Sequence, residues 1–350
     1  YSSWSGEGQW QKLSCEAIGL TSSNCSHYRA ACLGSRASAE KSPMAMIEDE
    51  ELGVTWFWQI ENSSSWMWET GLLEIKDVQH GLYLIAGGPD DEHGHWYKEL
   101  KPGETFSSVP VSIGCLIGGF EQAVAELTRY RRKACRKSHV ADDNLPVIFN
   151  DFMNCLWGDP TFEKEKPLIE AAAKAGCEYY CIDSAWYAEP GEHWWPGVGH
   201  WQVNTKRFPN GEFFKMMDMI RGGGMVPGLW IEAEVVGVNN TIAGKPDSWF
   251  YTRHGKRIIY NGRYFLNFSN PDVISHLNSI IDRMVNEYGA GYIKNDYNID
   301  LQHGTETNAD SFGDGILQHT RNFYKWIDSI HERHPKLIWE TFASGGWRTY

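Results

Sequence analysis

Hydrophobic and polar positions alternate, up to about residue 130, mostly with the two-residue period of β-strands. Runs rich in aromatic and β-branched residues, separated by Gly, Pro, Asn and Asp, occupy 54–60, 66–70, 72–75, 81–85 and 109–117. Strands that bury one face show this pattern, so this part of the chain predicts an antiparallel β-sandwich. Over 119–137 the apolar spacing becomes helical, and the basic end of the segment suits a helix carboxyl terminus.

From residue 145 the pattern changes to short apolar strands that alternate with amphipathic helices. Strands are predicted at 146–149, 179–182, 225–231, 292–295 and 337–339, and helices at 161–175, 213–221, 273–288 and 315–334. Such alternation implies a parallel sheet with helices outside. Acidic or amide residues end or follow the strands, as on the carboxyl-terminal rim of a (β/α)8 barrel. A doubly wound sheet is the alternative, but no glycine-rich phosphate loop follows the first strand.

These patterns predict a β-sandwich followed by a (β/α)8 TIM-type barrel of which only about the first five β/α units are present. We expect residues 1–118 to form the sandwich, incomplete at its N-terminus, 119–144 a linking helix, and 145–350 a truncated catalytic barrel. A closed barrel of this kind needs eight strands. We therefore expect the sequence to be a fragment of a longer protein.

The amino-acid composition restricts the kinds of partner that are expected. The net charge of −13 repels phosphate backbones, and no stretch is apolar enough to span a bilayer, so neither nucleic acid nor a membrane is expected. The eight cysteines are irregularly spaced without a CxxC motif, which favours free thiols, and slightly a cytoplasmic location, over disulfides or zinc. Seventeen Trp fit either core packing or sugar binding by flat aromatic faces.

The strand ends carry candidate chemistry. A set of carboxylates with Trp, and no paired metal-ligand spacing, suits glycoside hydrolysis, in which one carboxylate attacks the anomeric carbon and another acid protonates the leaving oxygen. Asp296 ends the predicted strand 292–295, and Lys294 lies two residues earlier and so on the same side. We expect this ammonium to keep Asp296 ionised. A surface Lys–Asp pair on a loop is the alternative.

Five ordered motifs carry a resemblance to a known family. They are CIDSAW (181–186), GLWIEAEVV (228–236), GRYFLNFSNP (262–271), IKNDYN (293–298) and ETFASGGWR (340–348). Together they resemble glycoside hydrolase family 36, the bacterial and fungal α-galactosidases. The resemblance implies a retaining hydrolase of terminal α-galactosides or related α-glycosides, acting by double displacement on an oligosaccharide or glycoside, with no cofactor and no metal.

The same resemblance assigns roles to individual residues. Asp296 matches the nucleophile, and Asp183 matches the first of two adjacent acidic residues that hold the outer hydroxyls of the sugar. Glu232 and Glu234 match no chemical step and are expected to brace the site. The remaining matches are the sugar-contacting positions Trp230, Arg263 and Lys294 and the strand-five loop residues Ser344, Gly345 and Arg348. The alternative to sugar contact is that Trp230 only packs in the core and that Arg263 only pairs with a nearby carboxylate.

Three positions depart from the family pattern. The second acidic residue is Ser184, the usual Cys of the strand-five loop is Phe342, where it would crowd the 2-position of the sugar, and the aromatic before the nucleophile is Asn295. These changes leave open an α-N-acetylgalactosaminidase, a transglycosylase or a non-catalytic sugar binder. The acid/base Asp is expected beyond Tyr350, so little hydrolysis is expected of the isolated chain.

Family members are often tetramers in which the sandwich domain reaches the site of a neighbour. By this analogy a homo-oligomer is expected, with Trp66 and Trp68 as the residues that would reach across.

Overall fold

The computed structural model describes residues 9–21, 26–75, 78–135, 139 and 144–348. The chain divides into two compact units, the first made of Tyr1–Ser138, Asp300–Thr320 and Ala343–Tyr350, and the second of His139–Ile299 and Arg321–Phe342. Two segments that follow the predicted barrel start therefore group with the amino-terminal part. The division at residues 118 and 144 stays a prediction.

The first unit contains two three-stranded antiparallel sheets. One has the order β1-β4-β5 and the other β2-β3-β6, with strands β1 (His27–Cys32), β2 (Met44–Asp49), β3 (Val54–Ile60), β4 (Trp66–Ile75), β5 (Val78–Gly87) and β6 (Val111–Ile117). Trp58 of β3 and Trp68 of β4 meet edge to face, with ring centroids 5.3 Å apart, inside one buried apolar cluster. Antiparallel strands are thus present as predicted, and 66–70 and 72–75 form a single strand.

Trp66 and Trp68 belong to the interior of this unit. Both rings are buried, and their indole N–H groups donate to the carbonyl oxygens of Ala37 and Ser42 at 2.6 and 3.2 Å. The expectation that they reach a neighbouring subunit is therefore wrong, because alternation along β4 turns both into the core.

Helix α1 (Phe120–Tyr130) follows the sheets and continues as a π-helical turn over Arg131–Cys135. Ala123 and Leu127 of α1 pack on Phe57, which faces the opposite side of β3 from Trp58. A helix at this place was predicted, and residues 136–137, the predicted end of that helix, lie outside the described residues.

The second unit is built on a five-stranded parallel sheet of order β7-β8-β9-β15-β16. These strands are β7 (Ile148–Asn150), β8 (Tyr179–Ile182), β9 (Val226–Ile231), β15 (Tyr292–Asn295) and β16 (Ile338–Thr341). Each strand of this sheet lies beside the strand of the same sheet that follows it along the chain. A doubly wound sheet reverses its order at a switch point, so the unbroken order is that of a barrel wall and is consistent with part of a TIM barrel.

Helices connect the parallel strands as the sequence predicts. They are α2 (Phe162–Ala175), α3 (Glu212–Gly222), α4 (Pro271–Asn286) and α5 (Phe312–Arg333), the last contributing to both units. Helix α2 ends at Gly176 with φ of 82°, and Asn270 caps α4 by accepting from the amide of Asp272 at 2.9 Å. Within the described ranges, no helix combines the length and apolar character needed to cross a bilayer.

Short antiparallel strands between β9 and α4 were not predicted. They are β10 (Val235–Gly237), β11 (Thr252–Arg253), β12 (Lys256–Arg257), β13 (Ile259–Tyr260) and β14 (Arg263–Phe265). Gly237 pairs with Arg263, and a Cβ on Gly237 would lie 2.0 Å from the carbonyl oxygen of Pro196. Strands of two or three residues are too short to show a period, and this glycine is required because the Pro196 backbone passes so close.

Candidate active site

Asp296 follows β15 directly and is 7% exposed. Its Oδ2 accepts hydrogen bonds from Trp230 Nε1 at 3.1 Å and Asn298 Nδ2 at 2.6 Å, and its Oδ1 accepts from the amide of Tyr297 at 2.8 Å. Three donors therefore hold the carboxylate in one orientation. Burial nevertheless raises the pKa of Asp296, and the lowering effects of Lys294 and Asn298 are smaller.

Lys294 bonds a different carboxylate from the one expected. Its Nζ donates to Oδ2 of Asp183 at 2.9 Å and lies 4.6 Å from the ring centroid of Phe342. The charge of Lys294 lowers the pKa of Asp296, but burial outweighs it. Lys294 thus favours the ionised form of Asp296, as expected, and that it keeps Asp296 ionised stays a prediction. Strand alternation fixes the side of the sheet on which Lys294 lies but not the carboxylate with which it pairs.

Asp183 is the centre of a second cluster at the end of β8. Besides the ammonium of Lys294, its Oδ2 accepts from Asn150 Nδ2 at 2.7 Å, and its Oδ1 accepts from the amide of Ser184 at 2.8 Å. The hydroxyl of Ser184 is buried and has no hydrogen-bond partner among the described residues. A buried hydroxyl without a partner is costly, which makes Ser184 a candidate for a hydrogen bond to a ligand.

Trp230 lies in β9 and serves both packing and hydrogen bonding. Its ring is buried and contacts Trp194, Trp201 and Tyr187 at centroid distances of 5.0, 5.7 and 6.4 Å. Its indole N–H is the donor to Asp296. Trp230 therefore packs, as the alternative expected, and its contact with a sugar stays a prediction.

Arg263 is fully buried at 0% exposure and forms an ion pair with Glu232. Its guanidinium lies 4.2 Å from the ring centroid of Trp195, and its Nη2 donates to the carbonyl oxygen of Asn298 at 3.2 Å. Glu232 Oε1 accepts from the amide of Asn298 at 2.8 Å. Arg263 and Glu232 thus fix the backbone of Asn298, whose side chain bonds Asp296, so Glu232 braces this region as expected.

Burial also raises the pKa of Glu232 to about 7, against the lowering effect of Arg263. Asp296 adds to the rise because a second negative charge lies nearby.

Two departures from the family pattern occupy different sides of β15. Phe342 follows β16, donates its amide to the carbonyl oxygen of Asn295 at 2.9 Å and presents its ring to Lys294. Asn295 is buried, and its Oδ1 accepts from the amide of Ala233 at 3.2 Å. Only Phe342 therefore shares the side of the sheet that carries Lys294.

The structure brings together Asp183, Ser184, Trp230, Arg263, Lys294, Asp296 and Phe342 in the second unit. Ser344, Gly345 and Arg348 belong to the first unit, and their role stays a prediction. Sequence reasoning did not assign Asn298, Trp194 and Trp195, which all lie outside the strands and α-helices. Asn298 could have been identified from the sequence, because it lies two residues after Asp296 in the same motif.

Comparison with known proteins gives a consistent result. The Melibiase family model matches residues 106–350. A probable α-galactosidase G of Emericella nidulans is 27% identical over 321 residues, which cover 85% of this chain and 40% of that protein. The α-galactosidase AgaA of Geobacillus stearothermophilus is 26% identical over 288 residues, covering 79% of this chain and 38% of that protein. The chain spans about two fifths of the length of these relatives.

Solved structures show the same fold. An α-galactosidase from Lactobacillus brevis matches with a TM-score of 0.77 at 18% identity, covering 92% of this chain and 43% of that one. The GH36 α-galactosidase AgaA of Geobacillus stearothermophilus, in complex with stachyose, matches with a TM-score of 0.76 at 20% identity, covering 92% and 45%. The resemblance to glycoside hydrolase family 36 is thus confirmed, and since the family model matches most of the chain, the chain belongs to the Melibiase family.

Proposed function

We propose that this chain carries the sugar-binding residues and the nucleophile of a retaining glycoside hydrolase that acts on terminal α-galactosides or closely related α-glycosides. The observation that carries the proposal is the carboxylate of Asp296, which three donors orient at the end of β15, on the side of the sheet where Lys294 and Asp183 pair. The names of the two relatives described above, a probable α-galactosidase and an α-galactosidase, support the substrate class.

In the proposed reaction, one oxygen of Asp296 forms a bond to the anomeric carbon while the bond from that carbon to the leaving oxygen breaks. A general acid gives its proton to the leaving oxygen, and the same group later takes a proton from the water that hydrolyses the glycosyl ester. No residue of this chain is assigned as that acid. Trp230 and Asn298 stay bonded to Oδ2 and keep the carboxylate aimed throughout.

Asp183 and Lys294 are proposed to bind sugar hydroxyls. Their pairing at 2.9 Å leaves an ammonium with further N–H donors and a carboxylate with further acceptor positions, a combination that suits vicinal hydroxyls. Trp230 and Arg263 act mainly through Asp296 and Asn298. The residues proposed to set the exact sugar are Ser184, Phe342, Ser344, Gly345 and Arg348.

The proposed architecture is a sandwich over 1–118, a linking helix over 119–144 and a catalytic barrel from 145, with the five parallel strands as the first of a (β/α)8 barrel. The consecutive strand order supports it. A homo-oligomer is retained as a proposal from the family analogy, without a role for Trp66 and Trp68.

Labelling with 5-fluoro-α-D-galactosyl fluoride tests the nucleophile. Fluoride leaves without acid assistance, so the probe needs only the attacking carboxylate. We expect mass spectrometry to find one 5-fluorogalactosyl group on the peptide that contains Asp296, and none in Asp296→Ala. Asp272→Asn, an exposed carboxylate change on α4, is the matched control and should label like the wild type. A label on another residue would contradict the assignment of Asp296 as the nucleophile. Sugar binding without any label would favour the non-catalytic sugar binder.

A further inference from the structure

Two carboxyl groups that the proposed reaction does not use lie behind Asp183. Asp151 follows β7 and Glu165 lies in the first turn of α2, and they are 2% and 0% exposed. An ionised carboxylate at such a position is costly unless donors surround it.

Each of the two groups has one oxygen with a donor from the chain. Asp151 Oδ1 accepts from the amide of Asp183 at 2.8 Å, and Glu165 Oε2 accepts from the hydroxyl of Tyr180 at 2.6 Å. The other oxygens, Oδ2 of Asp151 and Oε1 of Glu165, are buried, and no N–H or O–H group among the described residues donates to them. The two side chains lie close enough to act on each other's pKa at hydrogen-bond range. Two acceptor oxygens at that range form a hydrogen bond only if a proton lies between them.

We propose that Asp151 and Glu165 share one proton and act as a pair of positioning residues that hold the backbone of Asp183. The shared proton links α2 to the end of β7. The other oxygen of Asp151, Oδ1, accepts from the amide of Asp183 and so holds that backbone in place. The inference rests on the proposed function in one respect, namely that Asp183 binds the sugar.

The surroundings favour a retained proton. Glu165 and Asp183 are the charged groups that act most strongly on Asp151, and both raise its pKa, in addition to burial. Burial likewise raises the pKa of Glu165, and Tyr180, with Cys155 nearby, faces the pair as a neutral donor. Loss of the shared proton would place two negative charges in contact in a buried site, so the pair should lose its function at alkaline pH.

Infrared spectroscopy of the 350-residue chain tests the shared proton without any need for turnover. At pH 7 the difference spectrum between the wild type and Glu165→Gln should contain the C=O band of a protonated carboxyl group, shifted in D2O. Asp151→Asn should remove the same band. In both variants the amide supplies a permanent hydrogen bond in place of the proton. Glu163→Gln, an exposed change on the same helix, is the control and should leave the band unchanged.

Binding of D-galactose, measured by calorimetry, tests the positioning role. At pH 7 we expect Glu165→Gln to bind within about threefold of the wild type and Glu165→Ala to bind about tenfold more weakly, since only the alanine removes the bond. If Glu165→Ala does not fold, the pH profile decides the question. Wild-type binding should weaken on the alkaline side, and binding by Glu165→Gln should not.

A wild-type spectrum without the band, or a band that survives in both amide variants, would overturn the shared proton. Equal galactose binding by the alanine variant and the wild type, or equal alkaline profiles, would overturn the positioning role. A band of the expected kind in a chain that does not bind galactose would instead count against the proposed function and leave the shared proton standing.

Discussion

Trp230 donates its indole N–H to Oδ2 of Asp296 across 3.1 Å, from the neighbouring strand of the same parallel sheet. Trp230 therefore couples an aromatic cluster to the orientation of one carboxylate. A nucleophile must keep its attacking oxygen aimed at the substrate, and a donor on the other oxygen helps to fix that orientation.

Trp230→Phe should keep most of the ring packing and remove this donor. A hydrogen bond to a charged group contributes roughly 1.5–3 kcal/mol, so we expect labelling by the fluoride probe to slow by about 10- to 100-fold. Trp201→Phe is the control, because Trp201 also packs on Trp230 without a bond to Asp296. Equal rates in the two variants would mean that the donor has no role in aiming Asp296.

The raised pKa of Asp296 predicts an acid limb in the labelling rate at a higher pH than the usual aspartate range, since only the ionised carboxylate attacks. Lys294 lowers this pKa, so Lys294→Met should move the limb to still higher pH. Lys206→Met, at an exposed lysine, should leave it in place. The measurement is the probe inactivation rate against pH. If the acid limb of the inactivation rate lies at the same pH in Lys294→Met as in the wild type, the ammonium does not act on Asp296.

The raised pKa of Glu232 predicts that part of the folding stability depends on pH. Its pKa is raised from 4.5 to about 7 in the folded chain. The folded state therefore binds this proton more tightly, and the associated stability is present below the unfolded pKa and lost as pH rises towards 7. The loss is at most about 3 kcal/mol. Urea unfolding of the wild type and Glu232→Gln between pH 4 and pH 8 should show a flatter curve for the glutamine variant. Parallel curves would contradict the raised pKa.

Glu232→Ala should be much more damaging than the glutamine variant. Both variants remove the negative charge beside the buried guanidinium of Arg263. Glutamine keeps an acceptor oxygen for this group, whereas alanine leaves a buried donor unsatisfied, which costs about 1–3 kcal/mol. Thermal unfolding measures the difference. An alanine variant as stable as Glu232→Gln would show that Arg263 is not held by this pair.

Gly237→Ala should destabilise the chain, because the new Cβ would lie 2.0 Å from the carbonyl oxygen of Pro196 and a backbone must move. Overpacking of this kind costs roughly 1–3 kcal/mol. Gly244→Ala is the matched control, since nothing lies within 4 Å of its Cβ position. A similar unfolding temperature for both variants would show that the Pro196 segment shifts easily.

The sequence allowed the parallel sheet and the place of Asp296 to be predicted because both follow from local patterns. Strand alternation also placed Lys294 on the correct side. It did not identify Asp183 as its partner, since that contact depends on the rotamer of a long side chain and on two strands far apart in the chain.

The surroundings of Arg263 were harder to predict from the sequence. β14 has three residues and pairs with β10, also of three residues, which is too short for any periodic signal. Trp195 reaches the guanidinium from a single 3-10 turn, Trp195–Gly197, which is too short for any pattern in the sequence to predict. The carboxyl pair was missed for a similar reason, because Glu165 occupies what looks like one more polar position in the first turn of a surface helix.

The unbroken neighbour order of the five parallel strands has a consequence for how the site assembles. Asn150, Asp183, Trp230 and Asp296 come from four successive strands, so they meet only after each β/α unit has docked on the one before it. A ligand that touches both Asp183 and Asp296 would tie the second of these units to the fourth. A ligand that binds more tightly should therefore stabilise the chain more against unfolding, because the bound sugar contacts both units and holds them together.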